Sequence, residues 1–279
     1  MSRRIDQFPE PGPSQRRVKL VVASVSRTGT LGLYQALQIL GYKVYHMGEL
    51  VLVGGVPHME ILDEGVRAQF NRFSGILRYD KAEFDKWFAD YDVLIEIPSF
   101  FGLEMLEAYL ADPEVKFLLT ERSPDSWVKS FNNFVGVNVQ DCESPPLSIL
   151  RYFNKTLRYF YRVNRVIYST FSENTRIGDQ RNEEYLRQNY VRYIERVKKI
   201  IPPERLYVLR LEDGLGWNEI CPYLGKPIPD VKYPQGQEHA DLKARLLAPL
   251  IRDAVMKIGL LTAPAVGVGA WFAWKRFGR

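Results

Sequence analysis

The sequence predicts an α/β fold, a mainly parallel sheet flanked by helices, with a hydrophobic helix at the C-terminus. Three observations lead there. Residues 18–25, VKLVVASV, are an apolar, β-branched run of the kind that is buried on both faces of a parallel sheet. A polar loop follows, and Leu33, Leu37 and Leu40 then recur at helical spacing. The same alternation of short apolar run and helical pattern continues to about residue 224.

Taken in order, the loop Ser26-Arg27-Thr28-Gly29-Thr30 joins the first strand to the first helix. Such a junction aims backbone N–H groups and the positive end of the helix dipole at one point, which favours a phosphate or sulfate. Gly29 permits close approach, Thr28 and Thr30 add hydroxyls, and Arg27 adds a fixed planar charge. An ordinary βα turn capped by Thr30 is the plainer reading. Residues 43–45 predict a second strand ending at His46, and residues 57–73 and 80–89 predict helices. A third strand over 92–97 (DVLIEI) stops at Pro98. A helix over 101–110 leads to a fourth strand, 115–120 (VKFLLT), after which Ser123 as N-cap and Pro124 in the first turn open another helix. A Tyr-, Phe- and Arg-rich helix over 146–168 and an amphipathic helix over 183–201 follow, the second ended by Pro202-Pro203. A fifth strand over 205–211 and a short helix over 216–224 complete the pattern. Residues 136–182 read as a helical insertion or lid.

The 279 residues carry a net charge of +5, 46% hydrophobic and 25% charged residues. This balance leans toward anionic ligands or an anionic membrane surface. Lys and Arg are interleaved with Asp and Glu, which argues against nucleic acid. Cys142 and Cys221 lie far apart, and His46, His58 and His239 form no metal-ligand spacing, so no metal is expected. Residues 1–17 read as a disordered basic, Pro-rich arm without a secretory signal. Residues 236–257 read as a helical connector. The 17 uncharged residues 258–274 (IGLLTAPAVGVGAWFAW) precede Lys275 and Arg276. As a helix they span about 26 Å, which suggests a single-pass membrane tail anchor with the remainder in the cytoplasm. A buried terminal helix is the alternative.

Ligands of parallel α/β sheets bind beyond the carboxyl ends of the strands. Glu96 stands at such an end among apolar neighbours, as a solvated rim residue, an ion-pair partner of Arg27, or a general base. Arg122 closes the fourth strand and Ser130 lies two turns along the next helix, so together they suit a second anion.

The segments VVASVSRTGTLGLYQALQILGYKVYHM, YDVLIEIPSF and VKFLLTERSPDSWVKSF, with VKKIIPPERLYVLRLEDGLGWNEICPYLGKPIPD, resemble the P-loop sulfotransferase superfamily over roughly residues 18–235. The first loop resembles the branch that reads R-T-G-T there. The resemblance implies a P-loop-type sheet and the donor 3′-phosphoadenosine 5′-phosphosulfate, with a small-molecule acceptor. It implies that Ser26, Arg27, Thr28, Gly29, Thr30 and Leu31 hold the phosphosulfate, while Arg122 and Ser130 hold the 3′-phosphate. Glu96, Arg27 and His46 would then be catalytic. Five departures from the family pattern stand out: Ser24 for Gly, Leu31 for a hydroxyl residue, Gly32 for Ser, Glu96 for Asp and Tyr193 for His. Those at Ser24, Leu31, Gly32 and Glu96 keep open a membrane-tethered, catalytically weak or inactive nucleotide-binding module. A kinase or NTPase is disfavoured because no G-x-x-x-x-G-K-[ST] is present, and dinucleotide oxidoreduction because no G-x-G-x-x-G follows the first strand.

Overall fold

Five strands, β1 (Leu20–Val22), β2 (Val44–Tyr45), β3 (Val93–Ile95), β4 (Lys116–Glu121) and β5 (Leu206–Arg210), pair in the order β2-β3-β1-β4-β5. All four pairings are parallel, with Leu20 opposite Val93 on one side and Lys116 on the other. The computed structural model describes residues 3–13, 15–236 and 239–277, with the side chains of 239–245, 264–273 and 277 outside the description. Strand pleating sends Val21, Leu94 and Phe117 to one face, and Val22, Val93, Ile95 and Leu118 to the other. Both faces are buried, which is why these runs do not alternate with polar residues.

The helices are α1 (Thr30–Ile39), α2 (Met47–Leu52), α3 (Gly55–Phe70), α4 (Lys81–Trp87), α5 (Ile97–Phe101) and α6 (Leu103–Leu110) in the first half. There follow α7 (Pro124–Phe131), α8 (Val137–Glu143), α9 (Leu147–Leu150), α10 (Lys155–Ser172), α11 (Asn182–Ile200), α12 (Trp217–Leu224) and α13 (His239–Phe277). Leu33 and Leu37 of α1 and Ile220 of α12 cover one face of the sheet. The other face carries a thicker layer, built on Leu62, Trp87, Leu106, Trp127, Val163 and Val197 from α3, α4, α6, α7, α10 and α11.

Several boundaries differ from those expected, each for a local reason. Pro98 does more than end a strand, because it sits in the first turn of α5. The helix expected over 101–110 starts only after Gly102, whose φ of 77° and ψ of −155° interrupt it. The helix expected over 146–168 is divided, and Asn154 caps its second part by accepting the Leu157 N–H at 3.0 Å. Ser123 does not cap α7 with its side chain; its own N–H donates to Glu212 at 2.8 Å.

The Pro/Arg-rich start of the chain is not the loose arm its composition suggested. Ile5, on a short 3-10 turn (Ile5–Gln7), is fully buried, Arg3 pairs with Glu83, and Arg16 pairs with Asp92 at 2.8 Å. Phe8 also packs against the core and lies near His58, with ring centroids 5.3 Å apart. At the other end, α13 runs unbroken through both the expected connector and the expected anchor. Its first half lies against α9 and α10, with Leu247 and Ala254 buried. No helix among the described residues is long and apolar enough to cross a membrane, so the anchor finds no support there. Most side chains of the expected span lie outside the described residues.

The core holds one titratable group with a consequence for stability. His58 Nδ1 accepts from the Tyr45 hydroxyl at 2.7 Å and from Trp87 Nε1 at 3.3 Å. Burial, opposed by Asp90, lowers its pKa from 6.5 to about 4. The unfolded chain takes up this proton more readily than the fold does. The stability it confers is therefore complete above pH 6.5 and is lost as pH falls toward 4. Thermal melts are expected to show Tm falling across that window, with a shallower fall in His58→Gln.

Candidate active site

The site lies where the chain's topology changes direction. From β1 it passes to β2 and β3 on one side of the sheet, then crosses to β4 on the other. The crevice beyond the end of β1 is thus the switch point at which open α/β sheets bind ligands. The loop 26–30 occupies it. Gly29, with φ of 90°, is the N-cap of α1 and offers no side-chain cap, so the first N–H groups of α1 face the crevice unshielded by a capping side chain. Arg27 also has positive φ, 76°, a costly conformation for a non-glycine residue. It is held there by two neighbours: Trp127 Nε1 donates to the Ser26 carbonyl at 2.9 Å, and Arg122 Nη1 donates to the Arg27 carbonyl at 3.3 Å.

The Arg27 side chain extends toward α7. Its Nε donates to Ser130 Oγ at 3.2 Å, and its guanidinium lies 4.6 Å from the Phe134 ring centroid. Phe134 is presented by a π-helical turn, Asn132–Gly136, between α7 and α8. Turns of this kind are rare and frequent at functional sites. Burial, opposed by Glu96 and reinforced by Arg122, lowers the Arg27 pKa, yet an arginine stays charged throughout the working pH range. Arg27, Arg122 and Ser130 therefore form one cluster. Ser130 meets the cavity through Arg27 and is not itself part of the wall.

The two loop threonines differ. Thr28 is wholly buried: its hydroxyl donates to the Val25 carbonyl at 2.7 Å and meets Thr120 Oγ1 at 2.9 Å. Thr120 in turn donates both N–H and hydroxyl to Ser24 Oγ, at 2.7 and 2.8 Å. This corrects the expectation for Thr28, whose hydroxyl faces the sheet and leaves only its backbone for an anion. It also explains Ser24, which accepts two hydrogen bonds that a glycine there would leave unmet. Tyr193, another departure, braces the same strand end by donating to the Ala23 carbonyl at 2.9 Å.

Thr30, by contrast, donates its hydroxyl to Glu96. Glu96 is 4% exposed and has φ of 68° with ψ of −45°, the second strained non-glycine residue of the site. Burial raises its carboxyl, but His46 first, and then Thr30 and Ser26, more than reverse this, so its pKa lies below the ordinary carboxylate value. His46 is the N-cap of α2. Its Nδ1 accepts the Gly48 N–H at 3.0 Å, which leaves the imidazole proton on Nε2. Nε2 lies 3.3 Å from Glu96 Oε1 without the alignment of a hydrogen bond, and no other described group meets it. A buried ring nitrogen whose only polar neighbour is a poorly aligned carboxylate is a place for a polar atom of a ligand.

These groups open onto a cavity of about 340 Å³ whose walls include Ser26, Arg27, Gly29, Thr30, Leu31, His46, Glu96 and Arg122. Of the sequence-predicted residues, Thr28 lies behind the wall and Ser130 joins through Arg27, while the others line the cavity together. Phe134 and the segment 234–236 had no local signal. That segment crosses the first turn of α1, so a Cβ on Gly32 would lie 2.6 Å from the Pro234 carbonyl oxygen. Space, not backbone torsion, demands glycine here. Gly32→Ser is expected to cost about 1–3 kcal/mol through overpacking, read as a lower Tm or denaturant midpoint. Among the described residues no three His, Cys, Asp or Glu side chains gather as a metal site.

Comparison with known proteins agrees with this geometry. The chain is 30% identical over 221 residues to the Ava biosynthesis cluster protein M of Aspergillus versicolor, covering 78% of this chain and 80% of that protein. A family model described as the sulfotransferase domain matches residues 19–242, which contain every group of the site named above. The chain belongs to the sulfotransferase-domain family.

Proposed function

We propose that the protein transfers a sulfuryl group from 3′-phosphoadenosine 5′-phosphosulfate to a hydroxyl or amine of a small molecule. The observation that carries this reading is a single cavity in which two arginines and an uncapped helix N-terminus lie beside a buried carboxylate. A dianionic or trianionic ligand fits the first half of that set, and a proton acceptor is the second. The relative's name, which refers to a biosynthesis cluster, supports a small-molecule acceptor.

In this reading the amides of residues 26–31, with Arg27, Arg122 and Ser130, hold the donor. When bound there, the donor supplies the sulfuryl group and leaves as adenosine 3′,5′-bisphosphate. The acceptor's oxygen or nitrogen bonds to sulfur as the bridging S–O bond breaks, and its proton passes to a Glu96 carboxylate oxygen. Arg27 and the α1 N–H groups offset charge gathering on the departing phosphate. Thr30 donates to Glu96 and so orients the base, while the His46 Nε2 proton is available to the acceptor or to a sulfuryl oxygen.

One observation favours a second reading, a module that binds the nucleotide with little or no turnover. Glu96 is held below the ordinary carboxylate range, which makes it a weak base. A thermal-shift titration separates the possibilities. Adenosine 3′,5′-bisphosphate at a hundred times its Kd is expected to stabilise by about 2.7 kcal/mol, with ATP giving less. No shift at millimolar bisphosphate overturns the donor assignment, and a larger shift with ATP favours nucleotide-triphosphate chemistry. Bisphosphate binding without transfer of labelled sulfate to any acceptor in a broad panel favours the second reading.

A further inference from the structure

We infer that the acceptor is an uncharged, largely apolar molecule bearing, besides its reacting group, a hydrogen-bond donor that is read by Asn138. The identity of the reacting group rests on the sulfuryl-transfer reading; the class of molecule rests on the cavity itself. All the ionisable groups in the wall, Arg27, His46, Glu96 and Arg122, come from the loops at the strand ends. The rest of the wall is mainly apolar and includes Met47 and Val51 of α2, Val135 of the π-helical turn, Phe160 and Ile167 of α10, and Leu246 of α13. No charged side chain is among these residues, so a charged group placed against them loses its water without gaining a partner.

Three amides line the cavity: Gln235 on the segment that crosses α1, and Asn138 of α8 with Asn164 of α10, which interrupt the apolar helical wall. The orientations of the two asparagines are linked. Asn164 Nδ2 donates to the Phe160 carbonyl at 2.8 Å, which turns its Oδ1 toward Asn138. Asn138 Nδ2 donates to that oxygen at 3.5 Å, the long limit of a hydrogen bond. Asn138 Oδ1 is then left over. Asn138 is 5% exposed, and no described residue donates to that oxygen. Asn138 borders the cavity, so that oxygen is available to a ligand hydroxyl or amide N–H.

The test is calorimetric binding of three matched probes to the full chain saturated with adenosine 3′,5′-bisphosphate, which covers the two arginines: naphthalene-2,6-diol, 2-naphthol and 6-hydroxy-2-naphthoate. The diol is expected to bind about tenfold more tightly than the naphthoate and about fivefold more tightly than the naphthol, differences of the size one buried hydrogen bond or charge commands. Asn138→Leu, or the milder Asn138→Ser, is expected to bring the diol to within about twofold of the naphthol while leaving the naphthol unchanged. Equal or tighter binding of the naphthoate overturns the inference, as does an unchanged diol-to-naphthol ratio in the variant or binding of none of the three. The wild-type comparison stands even where neither variant folds. Turnover plays no part in these readings, so failure to transfer sulfate overturns the reaction and leaves the ligand class judged on binding alone.

Discussion

Arg27→Ala is expected to lower kcat/KM for sulfuryl transfer at least a hundredfold, on the order of 3 kcal/mol of transition-state stabilisation. The side chain spans from the strained loop to Ser130 and Phe134, and it is the cation carried by the loop that begins α1. Charge accumulates on the departing phosphate as the bridge breaks, so a group fixed against it acts most strongly in the transition state. The ring of Phe134 keeps the guanidinium from swinging into solvent without competing for its N–H donors. Kinetics with labelled donor checks this. A loss confined to KM would mean that Arg27 only binds, and near-normal kcat/KM would remove the loop from the mechanism. Arg27→Lys is expected to recover part of the loss, because it keeps the charge but not the fork that meets Ser130.

Glu96→Gln is expected to reduce kcat by about a hundredfold to ten-thousandfold, the range for removal of a positioned base, with little change in bisphosphate affinity. The amide preserves volume and can still accept from Thr30, so loss of fold does not account for the result. The wild-type pH profile carries an independent signature. Glu96 has a pKa below the ordinary 4.5, so it stays ionised as pH falls through that value. Both its catalytic competence and the stability given by its partners are present above the unfolded-state value and are lost only as pH falls through the lowered folded-state one. An acid limb of kcat/KM set by Glu96 therefore lies below pH 4.5. A limb near 6.5 that persists in Glu96→Gln would assign the titration to a different group.

Much of this site could be read before any coordinates, because its parts are tied to local patterns. An apolar run, a Gly- and Thr-containing loop and helical spacing mark the strand–loop–helix junction within residues 18–40. A lone carboxylate in VLIEI marks a strand end. Other features depend on partners far away in the chain. The direction of the Thr28 hydroxyl is decided by Ser24 and Thr120, the latter 92 residues on. Phe134 reaches Arg27 only because α7 widens into a π-helical turn, which has no sequence signature. Ile5 looks trivial in a stretch of Pro and Arg, yet it is fully buried, and with Phe8 and the Arg3 and Arg16 ion pairs it docks the segment. At the C-terminus, hydropathy counted residues, whereas the helix spends Leu247 and Ala254 on packing against α9 and α10 before the apolar stretch begins.

The crossing of residues 234–236 over Gly32 also bears on how the site comes into being. The cradle is formed early in the chain, but its roof arrives about 200 residues later, a separation whose closure entropy must be met before the contact repays it. Local pieces such as β1 and α1 can form first, while the complete site belongs to the most non-local contacts and is gained late in folding.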